Sequence, residues 1–229
     1  MTGRILLGGT VAAAALVAAP TAGATNECRG FVICAPVAGP WVVLPMARTL
    51  QRPKVQYQLT CPRGFVVGGV DAELSDRAID VAFLGSSGSP IQPGVTTSRS
   101  VVFLGSYVGA GARAPTFRPH AGCIPASGGG ERTPTGLAAV FPPGRPTVRR
   151  VVTTRIVATR QIVAACRLGE RLVDWYWTRG FATPAPPSAA LVQSLTGRAR
   201  AYANHVVVFV HAGRGEGVVQ VGAVCAGGP

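Results

Sequence analysis

The groups in this 229-residue chain that could carry chemistry are six cysteines, three histidines, nine carboxylates and one short aromatic run. A zinc site needs thiolates or imidazoles at close, characteristic spacings. Cys28, Cys34, Cys61, Cys123, Cys166 and Cys225 contain no CxxC pair, and His120, His205 and His211 supply no ligand set beside them. An even cysteine count in an exported chain points to disulfides instead, and no metal or cofactor is expected. Six cysteines allow 15 pairings.

His205 and His211 fall on one face of a strand, six residues apart. A general base needs a nucleophile and an orienting acid within hydrogen-bond reach, and no serine elbow or paired-carboxylate motif accompanies them. They read as structural histidines, and no catalytic residue is assigned. Asp71, Glu73, Asp76 and Asp80 gather four of the nine acids. Their spacing lacks the alternation, central glycine and closing glutamate of a calcium loop. A solvated strand or loop face, with Arg77 as a partner, is expected there.

The most unusual local feature is Trp175-Tyr176-Trp177 within "DWYWTRGF", followed by Arg179. On a strand, Trp175 and Trp177 point to one side and Tyr176 to the other. Exposed, paired indoles near an arginine suit sugar stacking or a protein hot spot. Buried, the same rings simply fill a core. Trp175, Tyr176, Trp177 and Arg179 are the candidate binding residues.

A repeat narrows the cysteine pairing. At an offset of 105 residues, Cys61 falls on Cys166, Gly64 on Gly169, Val67 on Leu172, and Val101-Val102 on Val206-Val207. The same offset places Gly39 on Gly144 and Val43 on Val148, while the closing cysteines lie 102 apart. One cysteine block, one glycine and one valine-rich block at a common offset indicate an internal duplication. Each copy should then close its own bridge, Cys61–Cys123 and Cys166–Cys225, leaving Cys28–Cys34 as a small N-terminal loop.

The elements that position these groups follow from composition. Valine-rich runs broken by 30 glycines and 19 prolines predict an all-β fold. Two tandem, disulfide-stapled β-sandwich-like units are expected, with one fused sandwich as the alternative. Residues 1–24 read as a signal peptide: Arg4, an apolar run from Ile5 to Ala19, then Ala22-Gly23-Ala24 before the cut. A lead at 25–38 holds the small cysteine loop. The first unit spans 39–126, a Gly/Pro linker 127–139 and the second unit 140–229. Val206, Val208 and Val210 alternate with Val207 and Phe209, which suggests a central strand covered on both faces. Residues 188–203 are the one helical candidate.

The segment "TCPRGFVVGG" (Thr60 to Gly69), closed about 60 residues later by a cysteine after a valine-rich strand, resembles a module. Similar Cys-Pro-x-Gly…Cys β modules occur, often in tandem, in secreted, uncharacterised actinobacterial proteins. The resemblance covers the first unit. In the second, Arg167 stands for the proline, and Val173-Asp174 stand for the glycine pair. It implies an extracellular β module and no activity.

Charge bounds the partner. The formal net charge is +13, and Lys54 is the only lysine. Residues 35–126 hold eight basic and four acidic side chains, residues 147–229 ten and three. Anionic surfaces attract such a chain, and the second unit most. The arginines are scattered, with Arg149-Arg150 the only adjacent pair, so a nucleic-acid partner is disfavoured. The expectation is a secreted, non-enzymatic binding or structural protein of the cell exterior, associated with the cell wall. Its partner would be an extracellular protein or an anionic cell-wall polymer, with no membrane span after signal cleavage. The alternative is a secreted hydrolase or toxin with a dispersed site.

Overall fold

A computed structural model describes residues 25–46, 53–84, 99–110, 114–126, 147–213 and 215–227. The expected signal peptide and the Gly/Pro linker lie outside these residues. The described chain is nearly all-β, as expected, with one short helix. Two short strands lead, β1 (Ala35–Ala38) and β2 (Trp41–Val43). The first half continues with β3 (Val55–Thr60), β4 (Phe65–Leu74), β5 (Ile79–Leu84), β6 (Ser100–Tyr107) and β7 (Thr116–Pro125). The second half holds β8 (Thr147–Ile156), β9 (Arg160–Ala165), β10 (Glu170–Phe181), helix α1 (Ala189–Ser194), β11 (Leu195–Ala201), β12 (His205–Ala212) and β13 (Gly217–Gly227).

The halves match strand by strand. β9 and β12 begin and end 105 positions after β3 and β6. Gly64 and Gly169 both take a positive φ, +82° and +85°, at the turn into β4 and β10, a conformation that glycine adopts without strain. A bulge interrupts β4 between Val67 and Gly69, and β10 between Leu172 and Asp174. The Cys61 N–H donates to the Arg99 carbonyl at 2.7 Å, and that of Cys166 to Asn204 at 2.8 Å. Cys61–Cys123 and Cys166–Cys225 each close one half, and Cys28–Cys34 closes the small loop, the pairs that the repeat assigns. In the chain-entropy description each long loop stabilises the fold by about 4 kcal/mol, the short one by about 2.4.

The halves are joined more closely than two tandem units would be. One seven-stranded antiparallel sheet runs through both, in the order β4, β7, then β1 and β2 end to end, β10, β13, β8. Val42 pairs with Phe117 on one side and Gly180 on the other. A three-stranded sheet, β3-β6-β5, packs over the first half of the long sheet; β11-β12-β9 packs over the second half. They lie on opposite faces, because Val42 enters the first core and its neighbour Val43 the second. Tyr57, Phe103 and Phe117 fill one core; Ile156, Phe181, Leu195 and the valines of β12 and β13 fill the other.

Three expectations need correcting. The alignment of Val43 with Val148 is not the structural one: Ala35 lies opposite Cys123 and Val148 opposite Cys225. The connection from β8 to β9 is shorter than that from β2 to β3, which shifts the register. The helical candidate at 188–203 forms only six helical residues, capped by Ser188, before β11 begins. Its remainder alternates small residues with arginines and belongs in a sheet. β12 is central, but one face is open, with Phe209 47% exposed. In the second half, the strand buried on both faces is β13.

Candidate functional site

β10 carries the aromatic run, and its alternation holds. Tyr176 turns to the face away from the second core and lies on Gly222, where a Cβ would come within 2.0 Å of the ring. Its hydroxyl donates to Gln220 Oε1 at 3.2 Å, and the Arg149 guanidinium stands 5.7 Å from its ring centroid. Burial pushes the phenol up to about 12. Tyr57 is also raised to about 12, first by burial and then by Tyr176.

Trp175 and Trp177 take the opposite face. Trp177 packs partly against the second core and over Gly197, while Trp175 stays 37% exposed. Arg179 donates to the Leu195 carbonyl, and burial lowers its pKa. The four predicted residues therefore divide. Tyr176 is a core ring, Trp175 is a surface ring, and Trp177 and Arg179 line a groove.

Two concavities share Thr196 and Gly197 of β11 in their linings. The first, about 470 Å³, is walled by Trp177, Arg179, Lys54, Leu44 and Pro45. The second, about 940 Å³, is lined by Thr159, Arg198, Arg200, Phe209 and His211. Gly197 lets the Trp177 ring approach β11, since a Cβ there would sit 3.0 Å from that ring and from the Phe209 carbonyl. Arg198 lies directly across from Phe209, and Thr196 from His211. His211 Nδ1 is 2.7 Å from Thr159 Oγ1. Beyond the second basin the Arg200 guanidinium covers the Tyr202 ring, which stacks on His205 at 4.5 Å.

Lys54 and Arg179 thus line one concavity beside Trp177, Arg198 and Arg200 line the other beside Phe209, and no acidic residue is among the described lining groups of either. The arrangement suits an anion that also offers apolar or ring surface. By the 105-residue offset, Leu104 replaces Phe209, Ser106 replaces His211, and Ala72 replaces Trp177.

The clustered acids do not converge. Asp71 accepts from the Asn26 and Ala72 N–H groups, and Asp76 caps the turn at Ala78. Glu73 lies beside Arg118 and His120, at 3.8 and 3.6 Å, where Arg77 had been the expected partner of this group. Sequence reasoning missed Glu27, which is 4% exposed and lies 3.6 Å from the other nitrogen of His120. Gly69 and Gly122 admit it, because a Cβ at either would meet the Glu27 carbonyl within about 2 Å. The polar run Asp71, Glu73, Arg118, His120 on two adjacent strands was the available signal.

His205 and His211 share a face; His211 has the Thr159 hydroxyl beside it, His205 Nδ1 is 2.8 Å from Asn204 Oδ1, and no carboxylate among the described residues orients either ring. Cys166, Glu170 and Cys225 lie close together, but both sulfurs are in the disulfide and Glu170 is bonded to Arg150, so they do not form a metal site. Comparison with protein-family models, curated proteins and solved structures finds no match to this chain.

Proposed function

We propose that this chain is an extracellular, non-enzymatic binding protein whose second half holds an anionic envelope polymer in the groove over β11. The observation that carries the reading is the arrangement around β11, with Arg198 and Arg200 beside Phe209 in one concavity, Lys54 and Arg179 beside Trp177 in the other, and no carboxylate among the described lining residues. The guanidinium groups attract and orient the anion, and the aromatic walls add contact that salt does not screen. Three disulfides fit an extracellular address, and no helix among the described residues is long and apolar enough to cross a membrane.

The test uses the full mature chain against an immobilised polyol-phosphate polymer, a polyuronate and a neutral glucan. Retention on at least one polyanion, weakened but not abolished by salt, is expected. R198S/R200S should reduce it about ten-fold or more without changing thermal stability. Equal retention on the neutral glucan, or no effect of the double substitution, refutes the reading.

A further inference from the structure

The long sheet ends in two very different edges. β4 is interrupted by its bulge, carries Asp71 and Glu73, and runs into the turn at Asp76. These are the devices that protect an edge from pairing. β8 also carries charge, in Arg149, Arg150 and Arg155, but has no interruption. Its ten residues pair with β13 in one unbroken register, without proline or bulge, and no strand among the described residues pairs with its far side. Val148 and Val152, two residues to either side of Arg150, are 45% and 36% exposed along it.

The first half shows what such an edge does in this fold. β1 and β2 flank β7 as β8 flanks β13, and the far side of β2 accepts a further antiparallel strand through Val42–Gly180 and Trp41–Phe181. β8 occupies the same place with no successor among the described residues. We infer that β8 is a strand-addition site for an extended, acidic segment of another protein, antiparallel to Thr147–Ile156. Main-chain hydrogen bonds would supply the ladder, alternate apolar side chains would cover Val148 and Val152, and carboxylates would compete with Glu216, 3.4 Å away, for the Arg155 guanidinium, whose side chain is 78% exposed.

Charge selects this occupant over a second copy. Two chains of net charge +13 repel, and β4 turns away at Asp76 where β10 continues to Gly180 and Phe181 for the internal junction.

Hydrogen exchange on the full mature chain tests the site. The probe is a short synthetic peptide alternating valine with glutamate, compared with the same peptide carrying lysine for glutamate. At millimolar acidic peptide, the edge amides of Thr147–Ile156 should exchange about ten-fold more slowly. The lysine peptide should leave them unchanged, and V148K/V152K should remove the protection while β13 stays protected. The inference fails if the acidic peptide slows nothing, if both peptides act alike, or if these amides are already protected in the free chain. Concentration-dependent dimers in sedimentation, with the same amides protected, would assign the edge to a second copy and overturn it too.

Discussion

The side-chain amide of Gln220 binds the main chain of Gln58 as a neighbouring strand would. The Gln58 N–H donates to Gln220 Oε1 at 2.6 Å, and Gln220 Nε2 donates back to the Gln58 carbonyl at 2.9 Å. Gln220 also meets Thr153 and Tyr176 and is only 2% exposed. A side chain of the second half thus caps the edge strand of the small sheet in the first.

Replacing Gln220 with leucine should leave both Gln58 groups without partners. A loss of about 2–4 kcal/mol is expected, at about 1–3 kcal/mol for each unsatisfied buried group. Urea denaturation of Q220L against the parent checks it; a loss below about 0.5 kcal/mol would show that the bonds are replaced by water.

The two indoles should separate in their effects. Trp177→Ala removes a ring packed on the second core and should cost about 3 kcal/mol. Trp175→Ala, at the surface, should stay within about 1 kcal/mol. Thermal melts of both variants, beside polyanion retention, distinguish packing from binding.

Two of the four tyrosines should ionise late. Tyr57 and Tyr176 are held near 12, whereas an unfolded chain loses these protons near 10. The folded state therefore keeps protons that the unfolded state releases. Their contribution is fully present below about pH 10 and is lost as pH rises toward 12. Spectrophotometric titration should show a delayed phase that shrinks in Y176F.

The Arg150–Glu170 pair sets an acid limb. The bond from Arg150, then that from the Arg167 N–H, lowers the Glu170 pKa. Its stabilisation is present above the ordinary carboxylate range and is lost as pH falls through the lowered value. E170Q should flatten the decline of stability below about pH 4.5, read by denaturant midpoints across pH.

Much of the strand content was legible because valine runs, glycine turns and cysteines recur at one spacing. Gly64 and Gly169 mark the same turn, and the alternation around Tyr176 orients three rings correctly. What could not be read were relationships between distant segments. Nothing near Gln220 announces Gln58, and nothing in the spacing of Glu27 points to His120. The open face of β12 was misjudged because a valine run looks alike whether one side or both are covered. The groove escaped notice for a related reason: β11 was read as helix, so Arg198 and Arg200 were not placed on one face.

The short strand β2 has a consequence for inheritance. Its neighbouring valines, Val42 and Val43, plug different cores, so the halves share a wall while keeping separate interiors. A one-residue insertion or deletion that shifted β2 in its ladder would turn each plug toward the wrong interior and disturb both at once. The link between the halves is therefore less tolerant of length change than an ordinary inter-domain tether. Either half, cut away, would leave a raw seam: β10 would lose its neighbour, and Gln220 the strand it caps.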